Sequence, residues 1–294
     1  MLRELSGHEI DALHYELLVK DIVAAAEKLP PFPDIAWKII SLMKAMAPVK
    51  EIEDLIIYDQ AIGARILRLA NSVYYGRQYY IRSLKDAMLL LGDNRLVQAV
   101  MAACSTGYFI RGGSTDEQEL WEHSVTTALI SELIARRIKF EGVLTLYTTA
   151  LLHDIGKTIL DLYSKIYLQS SLSEIRGESD VIRGERRALG IDHQELGAII
   201  ARKWKFPPDI ATAIGNHHNP EKAGEYEELT SLVYLANLLA VSFAKKENKG
   251  PPDGIEPESD PVFKRFGISG KMIEGFRSEI EISMAGIVRA LGTA

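Results

Sequence analysis

Apolar residues recur at helical spacing along most of the 294-residue chain. Ile62, Ile66 and Leu69 follow one another at i, i+4 and i+7, and residues 125–133 repeat a similar pattern with Val125, Leu129 and Leu133. Residues at these spacings lie on one face of an α-helix, so the pattern predicts amphipathic helices that pack on a shared core. No alternating pattern of the kind that indicates a β-strand has convincing length. We therefore predict an all-α fold, a helical bundle.

Capping and helix-breaking residues predict where the helices begin and end. The prolines of segment 30–34 break the chain after a polar amino-terminal stretch and open a new helix. Ser83 and Asp192 each begin the spacing of a capping box, and Gly92 can end a helix. Residues 111–116 predict a polar loop between two helical halves, the second of which starts near Glu117. Residues 245–261 predict a linker, followed by a last helix over residues 271–291.

Composition and charge favour a soluble, cytoplasmic protein. The net charge of −6 gives no general attraction to nucleic acid or to an anionic membrane, so a nucleic-acid partner and a membrane are not expected. The single cysteine, Cys104, has apolar neighbours and is expected to be a buried structural thiol in a reducing compartment. The longest apolar-rich run, residues 229–244, is shorter than the roughly 20 residues of a bilayer-spanning helix, which favours a buried core helix.

The most informative short motif is His153-Asp154, which ends an apolar helical run and is followed by Gly156 and Lys157. Neighbouring imidazole and carboxylate groups suit a divalent transition metal such as Zn, Fe, Mn or Ni. Four further histidines lie near helix ends or on apolar segments, and these are His123, His193, His217 and His218. If each were simply a buried core residue, each would need its own polar partner, whereas one metal centre satisfies several of them together.

Charged residues near these histidines in the sequence leave alternatives open. Glu119 lies one helical turn before His123, so it is a further ligand, an acceptor behind a ligand, or a surface carboxylate. The arginines at 183, 186 and 187 either extend a basic rim or form a solvated helix face, and the second interpretation is favoured because Glu185 interrupts them.

These residues resemble the HD superfamily of metal-dependent phosphohydrolases, and their spacing is most similar to the HD-GYP branch and the HDOD domain. The first half decides between these two, because residues 29–33, 59–61, 68–76 and 90–92 are similar to the HDOD pattern. The chain is identified as an HDOD protein over about residues 21–240. The resemblance implies an amino-terminal helical subdomain, residues 21–110, packed on an HD-like helical subdomain, residues 117–240. Residues 1–20 are then a helical extension, and residues 241–294 a linker and a final helix.

The resemblance also implies a site. Its metal ligands are expected to be His123, His153, Asp154, His193, His217 and His218, holding one or two divalent ions (Fe, Zn, Mn or Ni), with Asp154 and Lys157 as the catalytic residues if the protein is an enzyme. In catalytic relatives the residue that corresponds to Lys157 contacts a phosphate, and the alternative here is a surface lysine at a helix end. Catalytic HD enzymes have a late metal-binding aspartate at the position that aligns with Asn237. The Gly-Tyr-Pro loop that marks cyclic di-GMP phosphodiesterases is absent after His218, and residues 224–226 match it poorly.

Three functions follow from these observations. The favoured one is a metal-binding regulatory module in bacterial signal transduction, which acts through contacts with another signalling protein. The alternatives are an active phosphohydrolase or phosphodiesterase acting on a nucleotide or phosphate ester, and a structural HDOD interaction domain with an empty site. The sequence contains no pattern of a receiver, sensor or cyclase domain, so we expect the partner to be a separate chain, with a phosphate-containing small molecule as a possible further ligand.

Overall fold

The computed structural model describes residues 7–45, 47–57, 59–71, 81–111, 114–167, 178–244 and 260–291. Within these ranges the chain is helical and contains no strand, which confirms the all-α prediction. The α-helices are α1 (Gly7–Glu27), α2 (Asp34–Lys44), α3 (Val49–Ile57), α4 (Gln60–Ala70), α5 (Leu84–Phe109), α6 (Thr115–Ile138), α7 (Val143–Leu152), α8 (Lys157–Tyr167), α9 (Glu178–Leu189), α10 (His193–Lys203), α11 (Pro208–Asn216), α12 (Glu227–Ala244), α13 (Pro261–Phe266) and α14 (Gly270–Leu291).

Local signals account for several of these boundaries. The Ser83 hydroxyl caps α5 by accepting the backbone N–H of Asp86, and Pro208 occupies the first turn of α11. Gly92 has a φ of +67°, so α5 bends there, and its two halves form an angle of 107°. Helix α6 begins at Thr115, slightly earlier than predicted, because Ser114 and Glu117 form a capping box.

By its internal contacts the chain forms two compact units. The first contains residues 1–31 and 152–230 and so includes α1 and α8–α11. Helix α1 buries Leu18, Ile22 and Ala26, which recur every fourth residue. Two aromatic side chains, one from α8 and one from the end of α10, form hydrogen bonds with α1 and with the segment that follows it. The indole N–H of Trp204 donates to the carbonyl of Pro30 at 2.9 Å, and the Tyr163 hydroxyl donates to a carbonyl of α1 at 3.1 Å.

The second unit contains residues 32–151 and 231–294. Its core is lined by large, fully buried side chains that include Trp121, Ile66 and Met101. Helix α14 packs on α4, α5 and α6 of this unit and buries isoleucines at positions 273, 280 and 287. Cys104 is buried here as predicted, and burial raises the pKa of its thiol to about 12.

The two units are defined by contacts in space, and each combines two separate stretches of the sequence. The predicted domains, with boundaries near residues 20, 110 and 240, are continuous stretches of the sequence, and they stay a prediction. The apolar run 229–244 forms α12, whose side chains are mostly buried, as predicted. Most of the predicted linker, residues 245–259, lies outside the described ranges, and α13 follows it directly.

Among the described helices, no single one is long and apolar enough to cross a membrane, although the two halves of bent α5 pass that test of length and composition together.

Candidate metal centre

The His153-Asp154 motif lies in a tight turn between α7 and α8. Both side chains are fully buried. Two backbone bonds close the turn, from Ile155 to the carbonyl of Leu152 and from Lys157 to the carbonyl of Asp154. This turn presses against the first turn of α10, since a Cβ atom placed on Gly156 would lie only 2.1 Å from the carbonyl oxygen of His193. Only glycine allows that approach.

The start of α10 fixes the second part of the site. Asp192 caps the helix by accepting the backbone N–H of Glu195, which confirms its predicted capping role. His193 therefore occupies the first turn, and its ring is held from behind by Glu185 of α9. The Nδ1 atom of His193 lies 2.8 Å from Oε2 of Glu185, and the same oxygen accepts the backbone N–H of His193 at 2.8 Å. Both residues are fully buried.

The end of α11 supplies the third part. His217 follows the last residue of this helix, and its Nδ1 atom lies 2.7 Å from the carbonyl oxygen of Ile214. The backbone N–H of His218 donates to the side-chain oxygen of Gln194 at 2.9 Å, which ties this end of α11 to α10. His217 is fully buried, and His218 is half-buried.

These three parts bring four ligand atoms close together. Nε2 of His193 lies 3.3 Å from Nε2 of His217, 3.0 Å from Nε2 of His218 and 3.4 Å from Oδ1 of Asp154. Oδ1 of Asp154 lies 3.7 Å from Nε2 of His217. The ring of His153 also faces this group, with its centroid 4.9 Å from that of His217. We call His153, Asp154, His193, His217 and His218 the His/Asp cluster.

The hydrogen-bond partners of the Nδ1 atoms determine the tautomers of His193 and His217. A carboxylate and a carbonyl oxygen only accept hydrogen bonds, so the Nδ1 atoms of His193 and His217 carry the protons. In the neutral form of each ring, the lone pair is then on Nε2, the atom that lies toward the other histidines. Burial, together with the neighbouring His218, holds the pKa of His217 well below its ordinary value, which keeps this imidazole neutral and able to bind a metal.

Asp154 supplies the negative charge of the cluster. Burial acts to raise the pKa of Asp154, but His153 and Lys157 favour the anion more strongly and hold the pKa well below its ordinary value. The ammonium group of Lys157 lies 2.7 Å from Oδ2. The other oxygen, Oδ1, is the one that lies near His193 and His217. Lys157 thus orients the carboxylate with one oxygen toward the imidazoles.

This donor set fits a divalent transition metal. With metal–nitrogen distances of about 2.0–2.1 Å, tetrahedral ligand atoms lie roughly 3.3–3.4 Å apart, close to the spacings around Nε2 of His193. A histidine that donates its outer N–H to a buried carboxylate or to a carbonyl is the usual arrangement of a metal ligand, because that bond fixes the ring and raises the basicity of the other nitrogen. His193 and His217 both have it.

The remaining predicted residues lie in the second unit. His123 is half-buried on α6, and Asn237 is buried on α12, while Glu119 is exposed on α6. Their roles as ligands stay predictions. In the first unit Arg186 does not extend a basic rim, because its guanidinium is bound to Asp192 at 2.6 Å.

Glu185 is the functional residue that the sequence argument missed. The sequence indicates an acidic interruption of an arginine-rich, solvated helix face, yet Glu185 is fully buried. The missed signal is its spacing, because Val181, Glu185 and Leu189 follow one another at i, i+4 and i+8 on the inner stripe of α9. A carboxylate on an apolar stripe needs a buried partner, and His193 is that partner.

Solved structures share this fold. An HDOD domain protein of unknown function from Geobacter sulfurreducens is 25% identical over 95% of this chain and 98% of its own, with a TM-score of 0.70. A protein from Marinobacter aquaeolei, provisionally named a signal transduction protein, is 20% identical over 98% of this chain and 66% of its own, with a TM-score of 0.70. A provisionally named phosphohydrolase from Shewanella amazonensis is 21% identical over 92% and 97%, with a TM-score of 0.67.

Sequence comparison gives the family. A protein of Treponema pallidum that carries no functional name is 24% identical over 222 residues, and the match covers 72% of this chain but 43% of that protein. The chain therefore spans less than half the length of this relative. The model of the HDOD domain matches residues 29–220, well over half of the chain. The protein belongs to the HDOD domain family.

Proposed function

We propose that this protein is a metal-binding regulatory module of signal transduction, which holds a divalent ion in the His/Asp cluster and acts through contacts with another protein. One observation carries the proposal. Two further imidazole nitrogens and one carboxylate oxygen lie 3.0–3.4 Å from Nε2 of His193. The ion would be held by Asp154, His193, His217 and His218, with His153 beside them. Imidazole-rich sites of this kind favour Fe, Zn or Ni over Mg.

The charge of the cluster favours regulation over catalysis. A bound ion would act as a Lewis acid and lower the pKa of a water molecule, which is how two-metal hydrolases form their nucleophile. Within the described part of the first unit, Asp154 is the one anionic ligand in the cluster, since the carboxylate of Glu185 lies behind His193. Lys157 is bound to Asp154 and so positions a ligand. One carboxylate among several imidazoles offsets little of the charge of two ions.

We expect metal loading to change the dynamics of the protein beyond the ligands themselves, because a regulatory module must transmit its state to a surface that a partner can contact. Hydrogen exchange of the full chain, with metal and after chelation, measures this. The expected result is added protection in α10 and α11 and in at least one helix without a ligand. Protection confined to the turns that carry the ligands would contradict a regulatory role.

The second candidate is a metal-dependent phosphohydrolase. The name of the Shewanella relative favours it, and so does the position of the Lys157 ammonium next to the cluster, where a phosphate would compete with Asp154 for it. We expect no turnover of phosphodiesters or nucleotides above that of an Asp154→Ala control, with Fe, Zn, Mn or Ni supplied. The Asn237→Asp variant adds a carboxylate where catalytic relatives carry one, so a gain of activity in this variant alone would show that the missing anion limits hydrolysis. Turnover by the wild-type chain would overturn the regulatory proposal.

A further inference from the structure

A second concave site lies in the first unit, on another side of α10 from the His/Asp cluster. It is a groove of about 320 Å³ between α10 and α11, and we call it the α10–α11 groove. Its wall on α10 is formed by Gln194, Ala198 and Arg202, which recur every fourth residue. The volume falls at the lower end of the roughly 300–1,000 Å³ of small-molecule sites. The groove is therefore large enough for a small metabolite.

Close packing of two helices forms the floor of the groove. A Cβ atom placed on Gly215 of α11 would lie 3.0 Å from the Cβ atom of Ala198, so the helices approach each other closely at this point. The floor is apolar, and the polar side chains of Thr212 and Asn216 line the wall on α11.

The side chains that line the groove carry three positive and two negative charges. Arg186 is bound to Asp192 at 2.6 Å and approaches Glu195 at 3.5 Å, so both carboxylates of the lining are already matched by a cation. Arg202 and Lys222 also line the groove and are exposed. Neither of them forms an ion pair with any residue in the part of the chain that the structure describes. Two cations on one concave surface favour an anion with more than one acceptor oxygen.

A hydrogen bond links the wall of the groove to the His/Asp cluster. Gln194 lines the groove, and its side-chain oxygen accepts the backbone N–H of His218 at 2.9 Å. It also follows His193 directly in the first turn of α10. A ligand that shifts the amide of Gln194 therefore shifts the backbone of a candidate metal ligand.

We infer that the α10–α11 groove binds a small molecule with a phosphate monoester group, held by Arg202 and Lys222, and that Gln194 couples this site to the metal centre. The second part rests on the proposed function. Binding at two coupled sites is reciprocal, so a ligand that changes the affinity for metal has its own affinity changed by the same factor.

The first arm of the test uses the full chain after metal chelation, so that no phosphate can bind to an ion. Calorimetric titration with ribose 5-phosphate and with inorganic phosphate is expected to give saturable binding to the wild type. The Arg202→Gln/Lys222→Gln variant is expected to bind at least about tenfold more weakly, because it loses two charge-assisted contacts. The Arg137→Gln/Arg187→Gln variant removes the same charge outside the groove and is expected to bind like the wild type. Equal weakening in both variants, or no binding by the wild type, would overturn the assignment of the groove.

The second arm measures metal affinity by competition with a chromophoric chelator, with and without saturating ribose 5-phosphate. The expected result is a change of about fivefold or more in the wild type, and a smaller change in Gln194→Leu at a ribose 5-phosphate concentration that saturates this variant. An unchanged metal affinity in the wild type would overturn the coupling. A chain that binds phosphate in the first arm but binds no metal would contradict the proposed function and leave the groove assignment standing.

Discussion

Replacing Gly156 with alanine is expected to destabilise the protein by about 3 kcal/mol or more. The added methyl group would lie 2.1 Å from the carbonyl oxygen of His193 and 2.9 Å from the backbone nitrogen of Gly197. Both are backbone atoms of α10, so no side-chain rotation relieves the overlap. The turn that carries His153 and Asp154 would have to separate from α10, which carries His193. Urea unfolding of the full chain gives the change in the free energy of unfolding.

A matched control separates this overlap from the general effect of adding a methyl group. Gly107 lies exposed within α5, and a Cβ atom placed there has no neighbour within 4 Å. The Gly107→Ala variant is therefore expected to be as stable as the wild type, or more stable by about 0.5–1 kcal/mol, because alanine favours helix. If the two variants had the same stability, the close approach of the turn to α10 would be wrong.

Replacing Glu185 is expected to weaken metal binding although this residue does not contact the ion. Glu185 holds both the ring and the backbone N–H of His193, so Glu185→Ala releases the ligand and leaves an imidazole N–H buried without its acceptor. The expected loss of metal affinity is about 10–100-fold, measured by competition with a chelator. Glu185→Gln keeps an acceptor oxygen but removes the charge, so its effect is expected to be smaller.

The control for this series is Glu195→Ala. It removes an exposed carboxylate from the first turn of α10, the helix that carries His193, and this carboxylate pairs with Arg186. It is expected to bind metal with the affinity of the wild type. Should Glu185→Ala also retain that affinity, Glu185 would not support the site, and its hydrogen bonds to His193 would be only structural.

Much of the fold was predictable because its signals are local. The caps at Ser83 and Asp192 depend on residues within one turn of the helix, and so does the break at Gly92. The capping box at Ser114 was missed because the glycines before it suggested a longer loop. Helix α13 was missed for a related reason, because Asp260, which caps it, lies within the proline-rich segment 245–261, whose composition indicates a linker.

The site was predictable in composition but not in geometry. The two pairs His153-Asp154 and His217-His218 are visible as neighbours in the sequence, and their chemistry points to metal. Which nitrogen of each ring faces the centre depends on acceptors from other segments, such as Glu185 and the carbonyl of Ile214. The α10–α11 groove was equally hidden, because Arg202 comes from α10 and Lys222 from a 3₁₀ turn 20 residues later. Long-range approach of this kind has no local sequence signal.

Metal analysis of the full chain, purified without added metal, tests the central claim most directly. We predict one or two equivalents of Fe, Zn, Mn or Ni in the wild type, and loss of metal in His217→Ala and in the half-buried His218→Ala, both checked for helical content. Loss in His123→Ala as well would add that residue to the ligand set. A folded wild-type protein that contains no metal, and takes up none when it is offered, would contradict the account.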